Sequence, residues 1–254
     1  MILVDKCLSL LKYVDVFVRD RVDNIFRDSL WCLKGLLQSM GLNRIVRSGL
    51  DNVESIVESI YRSLKNKYRL VTRFCNFYNR AFNSIENIYS VLDAGCGTGL
   101  NIWLLLNYGF KPREIVFLDI DYRALPILKN IIGNSLVVHS DVAKTPLKTS
   151  SIDTVFATGL FHELPSLNAL KEFYRVLVKR GYLIVVDRVS YSVPRKLLWF
   201  KRLFKAYILH RNPETPYTVN EVASSITSYG FDIVYMDIVK GYGRDTVYIL
   251  ASKR

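Results

Sequence analysis

The chain has 254 residues, of which 50% are hydrophobic and 23% are charged. This composition excludes an intrinsically disordered protein and can fill a sizeable core. The apolar runs are far shorter than the ~18–20 residues that span a bilayer, and the N-terminal residues lack the order of a secretion signal. We therefore expect a cytoplasmic protein. The four cysteines and three histidines have no metal-ligand spacing, so we expect reduced thiols and no metal site.

The net charge of +12 arises from 35 basic and 23 acidic residues. The basic excess lies mainly in residues 1–90 and 191–254. Basic flanks suit an anionic partner such as a nucleic acid or a membrane surface. Charge alone does not identify that partner, because many basic proteins bind neither.

Residues 1–66 are predicted to form a helical N-terminal extension. Glycine is rare before Gly95 and proline is absent before Pro112, so turn signals are few. Residues 51–54 resemble a capping box, and apolar residues then recur at helical spacing. Residues 67–254 form a separate predicted domain.

That domain alternates short apolar runs with helical patterns. Strands are predicted at 89–93, 114–119, 135–139, 152–157, 181–187, 231–238 and 245–251, and helices at 100–108, 122–131 and 167–178. A capping box at residues 218–221 begins another helix. Alternating strands and helices indicate a parallel sheet, and the last two strands are close enough to pair as an antiparallel hairpin. The expected fold is an α/β, seven-stranded, mostly parallel sheet with an antiparallel last strand.

The strongest motif is a glycine loop at residues 91–99, between the first strand and its helix. It contains Gly95, Gly97 and Gly99 at alternate positions, and Asp93 lies two residues before the first of them. Glycine lets a backbone turn tightly and approach a ligand closely. Cys96, inside the loop, is expected only to pack.

An acidic residue follows the next strand, as a ribose-binding loop requires. Asp119 lies 22 residues after Gly97, near the ~20 expected for a ribose-binding carboxylate in doubly wound sheets. Asp121 is the alternative. We favour Asp119 because it is the first polar residue after the apolar strand.

The loop has the spacing G-x-G-x-G, whereas nicotinamide-binding loops have G-x-G-x-x-G. With Asp93 it resembles motif I of the class I S-adenosylmethionine-dependent methyltransferases, which have a Rossmann-like fold. Residues 140–142, 151–164 and 173–187 resemble later parts of the same family. The resemblance covers about residues 68–254 and is nearest to the small-molecule branch, with ubiquinone and menaquinone C-methyltransferases and related methyltransferase type 11 domains. One departure is the turn at residues 179–181, where the family usually has proline and glycine.

The resemblance implies S-adenosylmethionine as the cofactor and assigns residues to its methionine end. Asp93, Gly95 and Gly97 are expected to line the methionine moiety. Thr158, at the end of the fourth strand, is expected beside the sulfonium. Either Tyr68 or Tyr78 is expected to close over the site.

The resemblance also assigns residues to the adenosine end. Asp119 is expected to accept hydrogen bonds from the ribose hydroxyls, and Ile120 to pack on the adenine ring. Asp141 is expected to accept from the adenine amino group. Val142 is expected to supply a backbone contact.

His162 is the candidate catalytic residue. It follows the fourth strand, where an acceptor approaches in this family, and a base is needed if the acceptor must lose a proton. The alternative is a structural role, as a polar loop residue or a residue packed under a cap.

A helical cap insertion is predicted at about 190–217. Within it, residues 195–211 combine interleaved apolar side chains with six basic ones, Arg195, Lys196, Lys201, Arg202, Lys205 and Arg211. A basic amphipathic helix suits a cap over the acceptor, a peripheral contact with an anionic membrane, or RNA phosphates.

The predicted function is methyl transfer from S-adenosylmethionine to a small, apolar or aromatic acceptor that is quinone-like or lipid-like. One alternative is an RNA methyltransferase of the same fold. Another is a cofactor-binding regulator without turnover. The sequence does not predict the oligomeric state.

Overall fold

The helices and strands were located in a computed structural model, which describes residues 68–97, 99–122, 125, 128–129, 135–190, 215, 217–239 and 245–254. The predicted extension at 1–66 and most of the predicted cap at 190–217 lie outside these residues. The elements in chain order are α1 (Tyr68–Asn83), β1 (Ser90–Ala94), α2 (Leu100–Asn107), β2 (Glu114–Asp119), β3 (Ser135–His139), β4 (Ile152–Thr158), a 3-10 turn (Phe161–Glu163), α3 (Ala169–Val176), β5 (Leu177–Val189), α4 (Val219–Ser228), β6 (Phe231–Val239) and β7 (Asp245–Lys253).

The strands form one seven-stranded sheet of order β3-β2-β1-β4-β5-β7-β6. Parallel pairing joins β2 to β3, β1 to β4 and β4 to β5. Strand β7 runs antiparallel to both β5 and β6. The predicted α/β fold with an antiparallel last strand is therefore confirmed.

The described elements belong to two compact units. The first contains α1, α2, β2 and β3, and the second contains β1, β4 to β7, α3 and α4. Among the described residues, no helix is long and apolar enough to cross a membrane. Likewise, the described side chains include no cluster of three or more His, Cys, Asp or Glu residues suited to a metal ion.

Helix α1 gives the first unit an aromatic core. The Phe82 ring lies against Tyr108, with ring centroids 4.9 Å apart, and against Phe110, at 5.5 Å. Tyr78 is fully buried, and its hydroxyl donates a hydrogen bond to Oδ1 of Asn101 at 2.8 Å. Tyr78 is thus a core residue of this unit. A role for Tyr68 in closing the site stays a prediction.

The core of the second unit is made by the central strands and their flanking helices. Residues 155–157 of β4 and 183–185 of β5 are fully buried, as the continuous apolar runs of a covered parallel sheet require. Helix α4 begins at the predicted capping box. The Thr218 hydroxyl accepts from the Glu221 N–H at 3.2 Å, while the Glu221 carboxylate accepts from the Thr218 N–H at 2.9 Å.

The predicted boundary between the helix at 167–178 and the strand at 181–187 is wrong. The helix predicted at 167–178 ends at Val176, because Leu177 is extended and pairs with Ile152 at the start of β5. The sheet register then shifts within the turn that replaces the usual proline-glycine pair. There Arg180 has a φ of 63°, and a Cβ on Gly181 would lie 2.9 Å from the Val178 oxygen. Glycine is therefore required at position 181.

Candidate functional site

The glycine loop turns through left-handed backbone conformations. Gly95, Gly97 and Gly99 have φ values of 65°, 47° and 72°. A Cβ on Gly99 would lie 2.6 Å from a methyl carbon of Leu128, so this glycine permits close packing within the first unit. A Cβ on Gly97 would meet nothing within 4 Å. The backbone at Gly97 therefore borders open space, where a ligand can approach it.

Asp119, the last residue of β2, is held by two backbone donors. Its Oδ2 accepts from the Gly97 N–H at 3.0 Å and its Oδ1 from the Asp121 N–H at 2.9 Å. Cys96 is a buried thiol whose Sγ lies 4.0 Å from the same Oδ2. Burial raises the pKa of the Asp119 carboxyl above its usual range, although the two N–H donors oppose that rise. The geometry distinguishes the two candidate acids, because Asp119 contacts the glycine loop through its side chain and Asp121 donates to Asp119.

Two large side chains beside Asp119 face solvent. Ile120 is 71% exposed and Tyr122 is 66% exposed. The Nε2 of His139 lies 2.9 Å from the Ile120 carbonyl oxygen, and the His139 ring makes an edge contact with Tyr122 at 6.0 Å between centroids. An exposed apolar side chain directly after an oriented carboxylate suits a ligand with a flat apolar part next to a polar one.

The second unit holds four of the other predicted cofactor residues, besides Gly95. Asp93 is fully buried within β1, and Val142 is buried after β3. Asp141 is exposed, and its Oδ1 accepts from the Ala143 N–H at 2.8 Å in a local turn. Thr158 is the last residue of β4 and is partly exposed. Asp93 thus lies within β1, Thr158 at the end of β4, and Asp141 and Val142 just after β3.

His162 lies in the 3-10 turn after β4, between two carboxylates. Its Nδ1 lies 2.6 Å from Oδ1 of Asp187, and its Nε2 lies 3.2 Å from Oε1 of Glu163. His162 is only 4% exposed and Asp187 only 2%. Burial by itself lowers the pKa of an imidazole, but the charge and hydrogen bond of Asp187, with the hydrogen bond of Glu163, outweigh it and raise the pKa of His162 to about 9. A pKa of about 9 favours the imidazolium form of His162 at neutral pH.

The turn that carries His162 is also bonded on its other side. The Thr215 N–H donates to the His162 carbonyl at 2.6 Å, and the Tyr217 hydroxyl donates to the Leu164 carbonyl at 3.2 Å. The Ser190 N–H in turn donates to the Tyr217 carbonyl at 2.9 Å. The C-terminal end of the predicted cap at 190–217 therefore contacts this turn, and Ser190 at its other end is bonded to Tyr217. Residues 191–214 and 216 lie outside the described part.

Asp187 is the functional candidate that the sequence reasoning missed. It is the first polar residue after the apolar residues 182–186 of β5. The same pattern, a polar residue directly after an apolar run, identified Asp119 at the end of β2. The pairing of Asp187 with His162 had no such signal, because the two residues are 25 positions apart.

A family model described as a methyltransferase domain matches residues 92–185. An uncharacterized methyltransferase of Schizosaccharomyces pombe is 27% identical over 150 residues, covering 58% of this chain and 57% of that protein. A tRNA U34 carboxymethyltransferase of Actinobacillus pleuropneumoniae is 28% identical over 107 residues, covering 38% and 31%. The chain thus spans little more than half the length of the first relative and less than a third of the length of the second.

Among solved structures, a SAM-dependent methyltransferase of Methanosarcina mazei is similar in fold, with a TM-score of 0.54 and 19% sequence identity. The likeness covers 68% of this chain and 95% of that one. The matched family region contains the glycine loop, Asp119 and His162. This chain therefore carries a methyltransferase domain at residues 92–185, with the fold of S-adenosylmethionine-dependent methyltransferases.

Proposed function

We propose that the protein transfers a methyl group from S-adenosylmethionine to a small apolar or aromatic acceptor of quinone-like or lipid-like character. The observation that carries the cofactor assignment is the Asp119 carboxylate, fixed by the Gly97 and Asp121 N–H groups and followed by the exposed Ile120. The methyltransferase domain supports the reaction class.

The residues of the first unit suit an adenosine ligand. A carboxylate oxygen accepts more than one hydrogen bond, so Asp119 can accept from a ribose diol while keeping its backbone donors. Open space beside Gly97 admits a ligand against the backbone. Ile120 offers an exposed aliphatic surface to an aromatic ring. In the second unit, we assign Asp141 to the adenine amino group, Val142 to a backbone contact, and Asp93, Gly95 and Thr158 to the methionine and sulfonium end.

The bound cofactor would supply a methyl group on a sulfonium, which is already an activated leaving group. The protein must then align the acceptor with that methyl carbon and exclude water, and alignment alone contributes several kcal/mol, about 7–11 in favourable cases. Proton removal is required only for some acceptors. For such acceptors the sequence predicts His162 as the base.

The first prediction separates the two candidate ribose acids. Asp119→Asn should weaken binding of S-adenosylhomocysteine by roughly 10- to 150-fold, because a hydrogen bond to a charged group is worth about 1.5–3 kcal/mol. Asp121→Asn is the matched control and should bind within about twofold of the wild type. Isothermal calorimetry measures both. Weaker binding in Asp121→Asn than in Asp119→Asn would move the ribose contact to Asp121.

The second prediction concerns Gly97. Gly97→Ala and Gly109→Ala both place a Cβ at positive φ, where it meets no other atom within 4 Å. Both variants should lose about 1–2 kcal/mol of stability from backbone strain. Only Gly97→Ala should also lose affinity for S-adenosylhomocysteine, by tenfold or more, because its methyl group occupies the proposed ligand space. Equal affinities in the two variants would remove Gly97 from the site.

RNA methylation is the second candidate function. It is favoured by the relative named as a tRNA U34 carboxymethyltransferase and by the net charge of +12. The basic residues at 195–211 offer phosphate contacts in this case. In the leading proposal, the same residues attach the protein to the periphery of an anionic cytoplasmic membrane.

The third prediction distinguishes these candidates. With S-adenosylmethionine labelled on its methyl group, the label should enter a prenylated hydroquinone presented in phosphatidylglycerol vesicles, and not total tRNA. Lys201→Glu with Lys205→Glu should reduce vesicle binding, more at low salt than at high salt. Label in tRNA, with a steep loss of RNA affinity as salt rises, would establish the second candidate instead.

A further inference from the structure

The side chains of Asp187, His162 and Glu163 form a row from the interior to the surface. His162 and Asp187 are buried, whereas the Glu163 side chain is 54% exposed. The Nδ1 of His162 lies 2.6 Å from Asp187 and its Nε2 lies 3.2 Å from Glu163. Both nitrogens of one imidazole therefore face carboxylate oxygens.

This arrangement favours one protonation state of the ring. An ionised carboxylate only accepts hydrogen bonds, and a neutral imidazole has only one N–H to donate. An imidazolium donates from both nitrogens and is therefore the form of the ring that bonds both carboxylates at once. Arg188 is the nearby charge that opposes this state, and its effect on the pKa of His162 is smaller than that of Asp187.

Asp187 also bonds the backbone of the turn that contains His162. Its Oδ2 accepts from the Phe161 N–H at 2.5 Å, and its Oδ1 accepts from the Arg188 N–H at 2.6 Å as well as from His162. One carboxylate at the end of β5 thus holds both the side chain and the backbone of the 3-10 turn. Thr215 and Tyr217 hold the same turn from the other side.

We propose that His162 is a positioning residue, an imidazolium whose ion pair with Asp187 fixes the turn after β4. The inference rests on the proposed function only in taking this turn as part of the acceptor side. An imidazolium has no lone pair to take a proton. His162 therefore sets where the acceptor lies and does not serve as the general base at neutral pH.

The fourth prediction is a spectroscopic signature of the imidazolium. The chain has only three histidines, so protein labelled with ¹⁵N-histidine gives three pairs of ring signals, and His162→Gln identifies those of His162. In the wild type, His162 should stay protonated until the pH reaches about 9. In Asp187→Asn its pKa should fall, because burial is then opposed only by the hydrogen bond of Glu163. Glu163→Gln is the control, and there His162 should remain protonated at pH 7.

A neutral His162 ring at pH 7 in the wild type would overturn the proposal, and that measurement requires no variant to fold. An unchanged His162 pKa in a folded Asp187→Asn variant would also overturn it. Calorimetry with S-adenosylhomocysteine on the same samples tests the proposed function separately. Absence of cofactor binding leaves the ring signals interpretable, so the two failures are distinguishable.

The fifth prediction follows from the same ion pair and concerns stability. The folded pKa of about 9 exceeds the ~6.5 of an unfolded histidine, so the stabilisation is complete below pH 6.5 and is lost as the pH rises through 9. Between pH 6.5 and 9.5, the unfolding constant of the wild type should rise roughly 10²-fold more than that of His162→Gln. Urea unfolding at each pH measures this difference. Parallel pH dependences in the two proteins would contradict the ion pair.

Discussion

A buried carboxylate needs hydrogen-bond donors, and this requirement shapes one turn in each of the two units. Asp119 and Asp187 each end an apolar stretch of strand, and both are nearly buried. Each accepts from an N–H one or two residues further along the chain and from an N–H of a separate turn. Because an unsatisfied buried carboxylate is costly, each turn is held where its N–H group completes the set.

The two carboxylates nevertheless differ in what they can do next. Oδ2 of Asp119 accepts from the Gly97 N–H and Oδ1 from the Asp121 N–H. Because a carboxylate oxygen accepts more than one hydrogen bond, Asp119 can accept further ones from a ligand. Oδ1 of Asp187 is already shared by an imidazole and a backbone N–H, while Oδ2 holds Phe161. Asp119 is thus able to accept from a ligand, whereas both oxygens of Asp187 already hold parts of the protein.

Sequence patterns predicted the parts of this arrangement that depend on neighbouring residues. The bounds of β2 and β3 agree with the predicted 114–119 and 135–139, because apolar runs and their polar ends are local signals. The end of α3 was wrong, since pairing with Ile152 draws Leu177 into the sheet. The role of Asp187 was missed for the same reason: its partner is distant in sequence, and only the fold brings them together.

The ion pair also bears on the kind of chemistry that suits the turn after β4. The buried imidazolium and the Asp187 carboxylate together carry no net charge. The remaining negative charge lies on Glu163, whose half-exposed side chain is screened by water, so the field on a neighbouring acceptor is weak. A weak field suits an apolar acceptor, whose transfer depends on alignment with the methyl group and not on charge recognition. A misplacement of about 1 Å can cost 10²-fold in rate, so a turn fixed by hydrogen bonds on both sides is a direct contribution to such a reaction. By this argument Asp187 and His162 serve geometry first, and the proposal implies that any proton an acceptor must lose leaves by a route other than the His162 ring.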